Sequence, residues 1–109
     1  MPLLDKEVAL RRVGGDAELL KEIAELFLED YPKAMDDLRR AADAGNSKRI
    51  EKTAHGLKGC IANFGATNVV DAAKAIGTMG REQRLAEIKS KLVVLGELLE
   101  QLRPELKAL

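Results

Sequence analysis

The sequence predicts an all-α fold, an antiparallel four-helix bundle with a short additional N-terminal helix. Apolar residues recur every three to four positions along most of the chain, and no stretch alternates apolar and polar residues as a strand would. The glycine-containing connections between these amphipathic segments are short, which favours antiparallel neighbours. At 109 residues, the chain is long enough for one domain with its own core, so we expect residues 1–109 to form a single helical bundle domain.

A short first helix is predicted close to the N-terminus. Asp5 can cap this helix, which should run through Val13. The pair Gly14–Gly15 should end it, because glycine readily adopts the left-handed conformation found after helix ends. Asp16 can then cap the next helix.

The second helix is predicted over residues 17–44 and contains Pro32. A proline inside a helix kinks or breaks it, and a true break would usually reset the phase of the apolar positions. The apolar positions stay in register on both sides of Pro32, so we expect a kink, followed by a turn at Gly45–Asn46. The register is set by Leu20, Ile23, Phe27, Tyr31, Ala34, Leu38 and Ala41.

The third helix is predicted over residues 46–64 and should stop at Gly65. Its apolar residues follow a spacing of three and four, which places them in one stripe that faces the core. The stripe consists of Ile50, Ala54, Leu57, Ile61 and Phe64. His55, the only histidine of the chain, lies about 140° from the centre of this stripe at roughly 100° per residue, so its side chain should project into water.

Two further helices complete the predicted bundle. Thr67 is predicted to cap the fourth helix, and Gly77 and Gly80 are predicted to end or loosen it. The inward positions of this helix are Val69, Val70, Ala73 and Ile76. The fifth helix should begin at about Glu82 and fray near Pro104. Its apolar positions are Leu85, Ile88, Leu92, Leu95, Leu99, Leu102 and Leu106.

Composition excludes several classes of function. Lys+Arg and Asp+Glu balance at 18 each and only three residues are aromatic, so we expect no nucleic-acid binding. No apolar run approaches the roughly 18 residues of a membrane-spanning helix, and the N-terminus lacks the basic and apolar regions of a signal peptide. A single cysteine, Cys60, cannot form an internal disulfide, so we expect a reducing compartment and a cytoplasmic location. We also expect a monomer that makes no membrane contact.

The residues that surround His55 favour a functional histidine over an ordinary surface one. Gly56 and Gly59 each cost a helix interior about 1 kcal/mol relative to alanine, and both lie on the polar side, where packing against the core cannot explain them. Their missing side chains would let another macromolecule approach the imidazole. Lys58, three residues after His55, can reach a negative group attached to the ring.

This arrangement suits phosphoryl chemistry. A free imidazole is largely neutral at pH 7 and can act as a nucleophile without a dedicated base. A phosphoryl group on the ring would be nearly dianionic, and Lys58 could partly offset its charge. Glu51, one turn before His55, could instead accept a hydrogen bond from the imidazole, or it could be a simple exposed carboxylate. For Lys48 and Lys52 a solvated side chain is the better interpretation.

Several runs of the sequence resemble one known family. The run His55–Gly59, with sequence HGLKG, is continued by Ala62–Ala66, with sequence ANFGA. Upstream, Leu10–Asp16, Leu26–Pro32 and Leu38–Ala41 lie at the expected spacing. Over nearly the whole chain, the sequence closely resembles histidine-containing phosphotransfer (HPt) domains of the type found in bacterial hybrid sensor kinases.

The resemblance implies a function in two-component signal transduction. HPt domains accept a phosphoryl group on one exposed histidine from the aspartate of a response-regulator receiver domain and pass it to another receiver. It implies that His55 is the phosphoacceptor, Lys58 the neighbouring charge and Gly59 the small residue that lets the receiver dock. The further docking residues would be Gly56, Ala62, Lys52 and Glu51. No cofactor is expected on this chain, because the receiver would supply Mg²⁺, and no nucleotide-binding glycine motif is present, so the chain is not expected to be an enzyme.

The sequence departs from the family pattern at two positions. Cys60 stands where many members have serine, and we expect it to be a partly buried structural thiol. Gly77 stands where an acidic residue is common.

Two rival functions are disfavoured. A hydrolase or metal site is disfavoured, because one histidine with Glu51 falls short of the groups that such sites need. A pure binding adaptor is disfavoured, because it would need neither His55 nor Lys58.

Overall fold

The computed structural model describes residues 2–109, and five α-helices make up the fold of that part of the chain. The helices are α1 (Lys6–Arg12), α2 (Ala17–Asp43), α3 (Ser47–Ala62), α4 (Thr67–Arg81) and α5 (Leu85–Lys107). The four long helices pack in a ring in which α2 contacts α3 and α5, and α4 contacts α3 and α5. The short α1 packs against α2. The predicted all-α bundle with an additional N-terminal helix is therefore confirmed.

The continuity of α2 sets the length of the bundle. This helix has 27 residues and runs through Pro32 without a break, as the unbroken apolar register predicts. At 1.5 Å per residue it is about 40 Å long, which matches the longest dimension of the molecule, 41 Å. Among residues 2–109, no helix combines the length and apolar character needed to cross a membrane.

The starts of the first three helices are fixed by side-chain caps. The carboxylates of Asp5 and Asp16 accept hydrogen bonds from the backbone N–H groups of Val8 and Leu19, as predicted. Asn46 caps α3 in the same way. Each cap satisfies one of the backbone donors that a helix leaves free at its N-terminus.

The predicted apolar stripes form the core. All five stripe residues of α3 are buried, although Phe64 lies just beyond the end of the helix, which ends two residues earlier than predicted. In α4 the predicted Val70 is only half-buried. In α5 the predicted positions from Ile88 to Leu106 are buried, whereas Leu85 is half-buried. The side chains of Phe27 and Phe64 join α2 to the end of α3, with ring centroids 5.5 Å apart.

The start and interior of α4 differ from the prediction. Thr67 is the first helical residue; the N-cap position is Ala66, which makes no side-chain cap and is fully buried. The helix also continues through Gly77 and Gly80 to Arg81. A Cβ atom at Gly80 would lie 2.7 Å from Cγ2 of Ile50. Gly80 is therefore explained by the close approach of α4 to α3 and does not end the helix.

A non-glycine residue ends α4. The N–H groups of Gln83 and Arg84 donate to the carbonyls of Gly80 and Met79 at 3.1 and 2.9 Å, the pattern of a Schellman motif. Gln83 occupies the left-handed position with φ of 57°. Because this motif uses residues 82–84, α5 begins at Leu85 and not at Glu82. α5 also continues past Pro104 to Lys107, so the predicted fraying there is wrong.

The N-terminal segment is attached at two places. The backbone N–H groups of Leu3 and Leu4 donate to the Glu105 carboxylate at 3.1 and 3.0 Å, and Asp5 N–H donates to the carbonyl of Phe64 at 3.0 Å. The segment therefore connects the end of α5 with the end of α3.

The single tyrosine links α2 to α5. Its ring stacks on Phe27 with a centroid distance of 5.4 Å, and its hydroxyl donates to Glu100 at 3.2 Å. Burial and the neighbouring Glu100 carboxylate raise the pKa of Tyr31 above its ordinary value.

Candidate functional site

The imidazole of His55 lies on the surface, near the middle of α3. The residue is exposed, as predicted, while the neighbouring Ala54 and Leu57 are buried. The 3.6-residue period of the helix produces this separation, because one turn cannot present adjacent positions to the same side. The ring is therefore accessible to a macromolecular partner on a rigid element of the bundle.

Two glycines leave space beside the histidine. A Cβ atom added at Gly56 or at Gly59 would meet no atom within 4 Å. Neither glycine is needed for packing within the chain, which agrees with the reasoning from sequence. Gly80, by contrast, packs against Ile50, so Gly56 and Gly59 have a different physical role from Gly80.

On one side of His55, a small surface cavity of about 160 Å³ is lined by residues of α3 and α4. We call it the α3–α4 notch. Its lining consists of Glu51, Ala54, His55 and Lys58 from α3 and of Ala73, Lys74, Gly77, Thr78 and Arg81 from α4. The notch thus brings together the histidine, the predicted cation and two cations from another helix.

The cations of the α3–α4 notch are available to bind an anion. Five ion pairs occur within residues 2–109, and none of them involves Lys58, Lys74 or Arg81. Glu51 is the acidic residue of the lining. Apart from the histidine, the lining thus carries three positive groups against one negative group.

On the other side of His55, a larger groove of about 380 Å³ lies between α2 and α3. We call it the α2–α3 groove. Its lining consists of Phe27, Asp30, Tyr31, Ala34 and Asp37 from α2 and of Arg49, Lys52, Thr53, Gly56, Leu57 and Cys60 from α3. Arg49 and Asp37 pair across the groove at 2.9 Å, so one ion pair spans the two helices there.

The predicted docking residues are divided between these two surfaces. Lys52 and Gly56 line the α2–α3 groove, whereas Glu51 lies in the α3–α4 notch. Gly59 is exposed beside His55, and Ala62 is a half-buried residue at the end of α3 that lines neither surface.

The environment of Cys60 differs from the prediction. Its side chain is exposed and lines the α2–α3 groove, so the predicted partly buried structural thiol is wrong. The position is adjacent to the apolar stripe in sequence, but the groove between α2 and α3 leaves it open to solvent.

Lys74 and Arg81 of α4 were not predicted from the sequence as site residues. Lys74, Gly77 and Arg81 lie at positions i, i+3 and i+7, which place them on one face of a helix. That spacing was visible in the sequence. The placement of this face beside His55 could not be predicted, because it depends on how α4 is rotated against α3.

A comparison with protein families identifies the class of protein that this fold and this histidine define. The family model described as Hpt domain matches residues 22–105, so the chain belongs to the Hpt domain family. It is a histidine phosphotransfer module of phosphorelay signalling, a non-catalytic signalling module, and Hpt domains exchange phosphoryl groups with receiver domains.

A solved structure has the same fold. The crystal structure of histidine-containing phosphotransfer protein B (HptB) from Pseudomonas aeruginosa PAO1 superimposes with a TM-score of 0.68 and 21% sequence identity. The match covers 95% of this chain and 96% of that chain. The search of curated proteins found no match.

Proposed function

We propose that His55 accepts a phosphoryl group from the aspartate of a response-regulator receiver domain and passes it to the aspartate of another receiver. The observation that carries this proposal is the exposed imidazole of His55 beside open space at Gly56 and Gly59, in a chain of the Hpt domain family. The proposed role applies to a cytoplasmic domain that spans residues 1–109.

The transfer step can be written with its atoms and electrons balanced. The lone pair of the unprotonated ring nitrogen attacks phosphorus, an N–P bond forms, and the P–O bond to the receiver aspartate breaks. The aspartate carboxylate leaves with the bonding electron pair, and solvent takes the proton from the other ring nitrogen. Onward transfer reverses these steps on a second aspartate, so the domain needs mainly to position the ring and to stabilise charge.

Lys58 is the proposed first charge partner of the phosphoryl group. It lies one turn after His55 on the same helix face, and both side chains line the α3–α4 notch. Lys58 as a whole is half-buried. A charge-assisted contact from Lys58 would stabilise the phosphorylated histidine and the transferring group.

The proposed docking surface for the receiver is the α2–α3 groove together with the exposed Gly59. The floor of the groove includes the apolar Phe27 and Leu57, and its rim carries charges of both signs. Leu26, one turn before Asp30 of the groove, exposes 60% of its surface. An apolar floor with a charged rim is the composition typical of a protein interface.

Label transfer from a phosphorylated receiver tests the phosphoacceptor. We expect acid-labile, alkali-stable phosphate to appear on the wild-type chain and to be absent from His55→Gln. Label that remains on the variant would refute His55 as the acceptor. A receiver that binds both proteins but transfers label to neither would instead favour a binding-only adaptor.

A pair of bulky substitutions tests the docking surface. Gly59→Trp should weaken receiver binding, because its side chain would occupy the space beside His55. Ala86→Trp is the matched control, since Ala86 is exposed on α5, a helix that does not contact α3. Equal receiver affinities of the two variants, measured by titration calorimetry, would contradict the proposed docking surface.

A further inference from the structure

One face of α4 places two cations in the same cavity as His55. Lys74, Gly77 and Arg81 all line the α3–α4 notch with His55. Between the two cations, Gly77 contributes no side chain, and a Cβ atom there would only touch Ala54 at 3.6 Å. The α3–α4 notch is therefore lined by cations, and no side chain fills its central position at Gly77.

Both cations of α4 are exposed. Neither makes an ion pair or a side-chain hydrogen bond within the described part of the chain. Arg81 can present two N–H groups to a pair of phosphoryl oxygens, whereas Lys74 acts as a point charge.

We propose that Lys74 and Arg81 of α4 hold the phosphoryl group on His55 together with Lys58, and that Gly77 leaves the opening through which they reach it. This inference rests on the proposed function of His55. Its consequence is a longer-lived phosphohistidine than Lys58 alone would give, so the domain would retain the phosphoryl group between two encounters with receivers.

Two physical effects of the cations act in the same direction. Hydrolysis of the N–P bond passes through a loose transition state in which the phosphoryl oxygens lose negative charge, so cations stabilise the ground state more than the transition state. The imidazole also leaves more readily when its ring is protonated, and neighbouring positive charges disfavour that protonation. Removing a cation should therefore speed hydrolysis.

The test is the lifetime of the phosphohistidine, made without any receiver. The full chain is treated with phosphoramidate, whose P–N bond breaks as the bond to His55 forms and ammonia leaves. After the donor is removed, the decay is followed by ³¹P NMR and intact mass. We expect Arg81→Gln to shorten the half-life about two- to fivefold, the range for one partly screened charge pair. Lys74→Gln should have a smaller effect, and Gly77→Glu the largest, because it fills the opening with a negative charge.

Control variants separate this effect from a structural one. Arg81→Lys should largely restore the half-life, and Lys91→Gln, which removes an exposed charge of α5, should leave it unchanged. The Arg81→Gln effect should shrink from about 0.1 M to about 1 M salt, where the screening length falls from about 10 to about 3 Å.

The two proposals fail in distinguishable ways. Failure to form phosphohistidine on the wild-type chain would overturn both the proposed function and this inference. A phosphohistidine whose half-life is the same in wild type, Arg81→Gln and Gly77→Glu would overturn the role of α4 and leave His55 as the acceptor.

Discussion

The glycines of α3 and α4 give a graded prediction about stability. Gly59, Gly77 and Gly80 are all helical, but an added Cβ atom would meet nothing within 4 Å at Gly59, Ala54 at 3.6 Å at Gly77, and Ile50 at 2.7 Å at Gly80. Replacing glycine by alanine in a helix interior stabilises by up to about 1 kcal/mol. We expect Gly59→Ala and Gly77→Ala to show roughly this gain.

The outcome at Gly80 should have the opposite sign. Ile50 is fully buried, and its atoms nearest to the new methyl group are Cβ and Cγ2, which a β-branched side chain cannot easily move. Overpacking of this kind costs about 1–3 kcal/mol. After the helix-propensity gain is subtracted, Gly80→Ala should lose up to about 2 kcal/mol.

Urea denaturation followed by circular dichroism measures these differences. The difference between Gly77→Ala and Gly80→Ala isolates the packing term, because the two sites lie one turn apart on the same helix. Midpoints that shift with unchanged slopes would identify a change in stability. A Gly80→Ala variant as stable as Gly77→Ala would refute the argument that α4 closely approaches α3 at this position.

Three further predictions concern the site and the helix ends. Lys58→Ala should slow transfer from a phosphorylated receiver about tenfold while the circular dichroism spectrum stays unchanged, and an unaltered rate would remove Lys58 from the mechanism. Gln83→Gly should raise the free energy of unfolding by about 1 kcal/mol, because glycine adopts the left-handed position without strain; urea midpoints test this, with Gln83→Ala as the control that gains nothing. Arg84 donates to Glu87 at 2.6 Å and lowers the pKa of that carboxyl below its ordinary value of 4.5. The associated stability is therefore present above pH 4.5 and is lost as pH falls through the lowered pKa. Glu87→Gln should be less stable than wild type above pH 4.5, by a difference that shrinks as the pH falls further; a difference that does not shrink in acid would contradict this.

The helices of the bundle could largely be predicted from local pattern. The register of apolar residues across Pro32 gave a continuous α2, and Asp5 and Asp16 marked helix starts because a cap depends only on residues three positions apart. These features are set within a few turns of chain. Tertiary packing stabilises the continuous α2 and the capped helix starts, but the local sequence already specifies them.

The errors arise where packing overrides local preference. Gly77 and Gly80 suggest a weak helix by propensity, but at Gly80 the side chain of Ile50 in α3 occupies the space that a larger residue would need. α4 then ends in a Schellman motif at Gln83, a residue with no strong preference for that conformation. A sequence without its tertiary contacts contains no signal for either outcome.

In the candidate site, too, some features could be predicted from local pattern and others depend on tertiary packing. The exposure of His55 follows from the phase of one helix, so it could be predicted from α3 alone. The positions of Lys74 and Arg81 beside His55 depend on the rotation of α4 against α3, which no local pattern specifies. The exposure of Cys60 likewise depends on the distance between α2 and α3.

The position of Tyr31 makes the protein its own optical reporter. The chain has no tryptophan and one tyrosine, so its emission above 300 nm comes from a single phenol. That phenol lines the α2–α3 groove and also a larger groove between α2 and α5. Its hydrogen bond to Glu100 exists only while α2 and α5 are packed together. Unfolding, separation of α5 and occupation of the α2–α3 groove should each change the emission of one fluorophore, without any label attached to the chain.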